Sequence, residues 1–108
     1  MNEKRKKPRI KVELRGSLSL ENKNVLIDII EIGAGGICFL SKTLLVYGEE
    51  ATAYFRLDNK EIGIKGRICR ITGNKCILKY DYDETININF INNFILNCYW
   101  GKDFKKMI

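Results

Sequence analysis

Apolar and polar residues alternate in three segments of the chain, residues 11–20, 52–57 and 61–68. Leu18 and Leu20, for example, alternate with Ser17 and Ser19. Because successive side chains of a strand point to opposite faces, this period of two is typical of strands with one buried face. Residues 25–32, 37–40 and 76–80 are largely apolar segments next to turn residues, and residues 25–32 are apolar on both faces. Together these segments predict six strands, over residues 11–20, 25–32, 37–40, 52–57, 61–68 and 76–80.

Glycines and turn-forming residues separate or interrupt these segments. Three of residues 33–36 are glycine, and turn sequences also occur at residues 58–59 and 72–74. Gly16 and Gly66 fall inside predicted strands, and for Gly16 we expect a bulge or a sharp bend. Six short antiparallel strands with such bends are typical of a small barrel. We therefore predict a mainly β fold, a six-stranded antiparallel barrel that is closed or nearly closed.

After residue 82 the period changes to that of a helix. Asp83 is predicted to cap this helix, Glu84 to lie in its first turn and Gly101 to end it. The apolar face consists of Ile88, Ile91, Phe94, Ile95 and Cys98. We expect this face to close one mouth of the barrel. We also expect the apolar side chains of residues 44–47 to cap one end of the core.

Charge divides the chain into two unequal parts. Residues 1–11 contain six basic residues and one acidic residue, whereas the other ninety-seven residues are nearly neutral. Ions are too costly to bury without partners, so a segment this cationic stays in water unless it meets an anion. We therefore predict a flexible basic arm over residues 1–11 and a single barrel domain with a C-terminal helix over residues 12–108.

Composition argues against several classes of protein. The chain has no histidine, and its four cysteines lack the close spacing of a zinc site. The cysteines lie among apolar neighbours, so we expect buried thiols and no metal. No apolar run approaches the roughly 20 residues of a membrane helix, and no signal-peptide core follows the basic start. We expect a cytoplasmic protein that is not an enzyme and has no cofactor.

Two short segments resemble the motifs of a known family. Arg5 and Arg9 match an RxxxR arm that precedes a strand, and residues 31–36 occupy the place of a [D/N]xSxxG turn. The chain resembles the PilZ domain, a six-stranded barrel with a C-terminal helix, from Arg5 through Phe94. The first motif is complete. In the second, Glu31 replaces aspartate or asparagine, Gly33 replaces serine, and only Gly36 matches.

The resemblance implies a receptor for cyclic di-GMP, a bacterial second messenger with two guanines and two phosphates. The ligand-binding residues that it implies are Arg5, Arg9, Glu31, Gly33 and Gly36. Guanidinium groups suit this ligand because they grip phosphates through paired hydrogen bonds and stack on bases. A carboxylate such as that of Glu31 suits the guanine N–H donors, whereas Gly33 has no hydroxyl to offer.

Three functional hypotheses follow. The first is a cyclic di-GMP receptor or adaptor domain that passes its signal to a partner protein. The second is a divergent PilZ adaptor that binds protein only, as the altered second motif suggests. The third is nucleic-acid or anionic-membrane binding through the arm, and the near-neutral remainder of the chain argues against it. We expect no nucleic-acid partner and no stable membrane insertion.

Overall fold

The computed structural model describes residues 9–107, and side chains within residues 9–98. The six strands are β1 (Arg9–Ser19), β2 (Asn24–Gly33), β3 (Gly36–Ser41), β4 (Glu50–Leu57), β5 (Lys60–Thr72) and β6 (Lys75–Tyr80), and helix α1 spans Thr85–Met107. The first three residues of β1 belong to the predicted arm, whose residues 1–8 lie outside the described residues.

The strands form one closed antiparallel barrel in the order β1-β2-β3-β6-β5-β4. The closing contact between β1 and β4 is short and runs from Gly16 to Ser19 on β1. A Cβ atom on Gly16 would lie 2.6 Å from the carbonyl oxygen of Tyr54, so this close approach of the two backbones requires glycine. Of the two alternatives expected at Gly16, a bulge or a sharp bend, the bulge is wrong, because the register shift of β1 lies between Lys11 and Leu14.

The interior of the barrel is filled with branched aliphatic side chains. Fully buried residues come from all six strands and the helix: Leu18, Ile29, Ile32, Ile37, Phe39, Ala53, Ile62, Ile64, Ile68, Leu78, Ile91 and Ile95. The helix therefore packs its isoleucine face on the core, as the sequence pattern predicts. Of the four apolar residues in the loop after β3, only Leu45 is buried. The expectation that Leu44, Val46 and Tyr47 also cover the core is wrong, because all three are exposed.

The start of α1 covers a strand edge that β6 leaves open. Strand β6 pairs with β5 only from Gly66 onward, so the preceding half of β5 has an unpaired edge. The Glu84 carboxylate accepts a hydrogen bond from the Lys65 amide at 2.8 Å, and Asn87 Nδ2 donates to the Gly63 carbonyl at 3.0 Å. These bonds satisfy backbone groups that otherwise attract another strand.

Both predicted ends of the helix are wrong. Glu84, not Asp83, holds the capping position, since its carbonyl accepts the first helical hydrogen bond from Ile88. The helix continues through Gly101 to Met107. In the described part of the chain no helix is both long enough and apolar enough to cross a membrane.

Candidate ligand-binding pocket

Arg9 and Glu31 are brought together from positions twenty-two residues apart in the sequence. Arg9 begins β1 and lies opposite Gly33, the last residue of β2. Its Nη1 atom donates to Glu31 Oε1 at 3.0 Å, and the two side chains are 28% and 22% exposed. The second arginine of the RxxxR segment and the first residue of the turn segment therefore form one half-buried ion pair.

A surface pocket of about 230 Å³ opens beside this ion pair. Its lining consists of Arg9, Glu31, Cys38, Arg70, Thr72, Lys75 and Ile77. Cys38 is buried and Ile77 is half-buried, whereas Arg70, Thr72 and Lys75 are exposed. The lining of the pocket is thus mostly polar: the Arg9–Glu31 pair and two exposed cationic side chains line it together with the apolar Cys38 and Ile77.

A β-bulge turns Glu31 toward this pocket. Strand β2 pairs Ile29 with Phe39 but Glu31 with Cys38, so Ile30 is an extra residue in the ladder. Without it, Glu31 would share the inward face with Ile29, because side chains alternate along a strand. With it, Ile29 and Ile32 are both fully buried while Glu31 faces outward.

The turn that follows β2 is fixed by Tyr80 at the end of β6. The buried Tyr80 hydroxyl donates to the Gly33 carbonyl at 2.9 Å, and the Tyr80 amide donates to the Gly35 carbonyl at 3.1 Å. Burial raises the pKa of the Tyr80 hydroxyl well above its ordinary value, so the group remains a donor at neutral pH. The turn is thereby held at a fixed position beside Arg9.

The two glycines assigned to the site differ in what the backbone requires of them. A Cβ atom on Gly36 would lie 2.4 Å from the Leu78 carbonyl oxygen, so the close approach of β3 to β6 accounts for this glycine. In the described residues, the glycines with positive φ are Gly48 and Gly73. The φ angle at position 33 therefore does not require a glycine.

The Cys38 thiol is part of the lining of the pocket. Burial raises the pKa of Cys38; the ammonium group of Lys75 opposes this shift and the Glu31 carboxylate adds to it. Cys38 is therefore protonated at neutral pH. Cys76 is also buried, but Cys69 is exposed and Cys98 is half-buried, so the prediction of four buried thiols is wrong. The described residues contain no cluster of metal-ligating side chains.

The predicted site residues lie in different parts of the chain. Arg9, Glu31 and Gly33 lie together, Gly36 begins the next strand, and Arg5 lies outside the described residues. Arg70, Thr72 and Lys75 were not predicted, although all three line the pocket. A break in the alternation of apolar and polar residues marks Arg70 in the sequence. Residues 68–71 repeat the apolar-apolar-charged-apolar order of residues 29–32, which contain Glu31.

The chain is thus a small closed barrel with a polar pocket on its outer surface. Comparison with family models gives a match to the PilZ domain over residues 3–97. The chain belongs to the PilZ domain family, a family of cyclic di-GMP receptors. A search of curated protein sequences found no match.

Solved structures show the same fold at low sequence identity. The PilZ domain of YcgR from Escherichia coli, solved with c-di-GMP, has a TM-score of 0.76 at 12% identity, with 96% of this chain and 98% of that chain covered. The K. pneumonia MrkH–c-di-GMP complex has a TM-score of 0.74 at 18% identity, with 97% and 57% covered. The PilZ domain of CeSA from a cellulose-synthesizing bacterium has a TM-score of 0.69 at 14% identity, with 85% and 98% covered.

Proposed function

We propose that this chain is a cyclic di-GMP receptor domain that binds the nucleotide at the pocket beside Arg9 and Glu31. The observation that carries the proposal is the ion pair itself, which joins residues from the two family motifs at the edge of a polar pocket. Membership of the PilZ family supports it, as do the c-di-GMP complexes among the structural neighbours.

The two side chains of the ion pair suit different parts of the ligand. The guanidinium group of Arg9 can hold a phosphate through two parallel hydrogen bonds or stack on a base. The Glu31 carboxylate can accept hydrogen bonds from the N1 and N2 groups of a guanine. Binding then exchanges the Arg9–Glu31 bond for bonds to the nucleotide. We further propose that a partner protein recognises the altered surface around the pocket.

Calorimetric titration with cyclic di-GMP and cyclic di-AMP tests this proposal. The two ligands carry the same two phosphates, but adenine lacks the N1–H and N2–H donors. We expect cyclic di-GMP to bind at least about tenfold more tightly, which corresponds to one lost charge-assisted hydrogen bond. Equal affinities would show a general anion site, and absence of binding at millimolar ligand would contradict the proposal.

A second candidate function is a PilZ adaptor that binds protein alone. It is favoured by the side chain missing at Gly33 and by the bond that Glu31 already makes within the protein, which a nucleotide has to displace. This candidate predicts a well-folded chain that gives no heat with either cyclic dinucleotide. The same titration, with thermal unfolding as the folding control, therefore separates the two functions.

A further inference from the structure

Arg70 differs from the other arginines in the part of the chain whose side chains are described. Arg9, Arg15, Arg56 and Arg67 each form an ion pair with a carboxylate. Arg70 lines the same pocket as Arg9, and among the described residues no carboxylate lies within ion-pair distance of it. A guanidinium group at a pocket without an internal partner is available to an anionic ligand.

A second β-bulge places Arg70 at this pocket. Strand β5 pairs Ile68 with Leu78 but Arg70 with Ile77, so Cys69 is an extra residue. As with Glu31 on β2, the extra residue moves a charged side chain from the inward to the outward phase of its strand. Bulges also bend strands, so a bulge by itself does not indicate a ligand. This bulge is informative because it turns the side chain of an arginine toward the pocket.

The two bulges place Glu31 and Arg70 at the ends of one row of paired residues. The row runs from Glu31 to Cys38, then to Ile77 and then to Arg70, across four adjacent strands. Three strand spacings of about 4.8 Å separate its ends by at most about 14 Å. Cys38 and Ile77 therefore lie between Glu31 at one end of the row and Arg70 at the other.

Among the described residues, the charges that line the pocket are unbalanced. Arg9, Arg70 and Lys75 contribute three positive charges and Glu31 contributes one negative charge, which leaves a formal charge of +2. A cyclic dinucleotide carries one negative charge on each of its two phosphates. Arg9 and Glu31 neutralise each other, so the excess lies on the side formed by β5 and β6.

We propose that Arg70, with Lys75 on the neighbouring strand, forms a second cationic wall that holds the part of the cyclic dinucleotide farthest from Arg9. This inference rests on the proposed function and assigns ligand contacts to residues outside the two family motifs. Arg70 supplies a planar fork for a phosphate or a base face, and Lys75 supplies a point charge.

Titration of the full chain with cyclic di-GMP tests the second wall, using Arg70→Ala, Arg70→Lys and a control, Arg67→Ala. Arg67 is exposed on the same strand, and its pair with Glu50 lies outside the pocket. We expect Arg70→Ala to bind roughly 10–100-fold more weakly, Arg70→Lys to be intermediate, and Arg67→Ala to lie within about twofold of the wild type.

Each outcome decides a separate question. Because Arg70 is exposed, both Arg70 variants should keep the wild-type melting temperature. Arg67→Ala loses exposed bonds to Glu50 and to the Gly48 carbonyl, so it should melt slightly lower but remain folded, and melting curves verify both expectations. If the wild type binds and Arg70→Ala binds equally well, the second wall is wrong while the proposed function stands. A wild-type chain that does not bind cyclic di-GMP overturns the proposed function and this inference with it.

Discussion

Two arginine–glutamate ion pairs with similar nitrogen–oxygen distances lie on different parts of the barrel. Arg9 and Glu31 are 3.0 Å apart at the pocket, and Arg56 and Glu61 are 2.8 Å apart on the β4–β5 hairpin. The pocket pair is 28% and 22% exposed, whereas the hairpin pair is 60% and 80% exposed. The chemistry of the two pairs is the same, so their surroundings account for any difference in function.

Cavity volume does not identify which of the two regions binds an anionic ligand. A groove of about 460 Å³ lies beside the hairpin pair, and it is larger than the pocket of about 230 Å³ beside Arg9. The charged side chains lining the groove are Arg56 and Glu61, which cancel, whereas the pocket has a formal charge of +2. Charge balance and burial, rather than volume, identify the region suited to an anionic ligand.

The largest expected effect comes from replacing Arg9, the arginine of the pocket pair, by lysine. Lysine keeps the charge but loses the planar fork, so Arg9→Lys should lose about 1.5–3 kcal/mol of cyclic di-GMP binding. Arg56→Lys, the matched control, should bind as the wild type does. Calorimetry measures both. If Arg9→Lys also binds normally, the pocket recognises charge alone.

A second prediction concerns the turns next to the two pairs. Tyr80→Phe removes the donor to the Gly33 carbonyl and should lower the free energy of unfolding by about 1–2 kcal/mol, together with the affinity for cyclic di-GMP. The hairpin turn is held locally, with Asn59 at φ 66°, so Asn59→Gly should change neither quantity appreciably. Denaturant unfolding and calorimetry compare the two variants.

The ionisation of Tyr80 makes the stability of the folded protein depend on pH. Because burial raises its pKa in the folded state, its contribution to stability is fully present below the ordinary tyrosine pKa of about 10 and is lost as the pH rises above that value. Burial raises the pKa of Cys38 and Cys76 from 9.0, and these thiols act in the same direction. The melting temperature should fall between about pH 9 and 11, and by less in Tyr80→Phe.

The smallest expected effect is a gain at the pocket. Gly33→Ser restores the hydroxyl of the family motif and should tighten cyclic di-GMP binding by about 1 kcal/mol. Because Gly33 does not have positive φ, the backbone itself does not oppose a side chain. Glu31→Asp is the companion variant. If the double variant folds normally by thermal unfolding but still does not bind, the protein-only adaptor is the better description.

Local sequence determined most of the secondary structure. Alternation predicted β1, β4 and β5, and largely apolar segments bounded by turn residues predicted β2, β3 and β6. The Asp58–Asn59 turn forms where two residues with positive φ are required. The helix face centred on Ile91 and Ile95 follows from the change of period. These features depend on residues that are close together in the sequence, so they could be predicted without knowledge of the tertiary structure. The ion pair of the β4–β5 hairpin is local in the same sense.

The resemblance to the PilZ motifs predicted that Arg9 and Glu31 belong together, but the sequence pattern did not show how. The bulges at Ile30 and Cys69 depend on the register between strands, which is set when the barrel closes. The extension of the helix through Gly101 also contradicts a local signal.

The sequence by itself determined that this chain is a β-barrel with a terminal helix, because alternation and turn residues act over a few positions. Only the tertiary structure placed Arg70 opposite Glu31, because that row crosses β2, β3, β6 and β5 in an order that differs from the order of the chain. The pocket is formed by non-local strand pairing, and its charge is therefore a property of the closed barrel rather than of any segment.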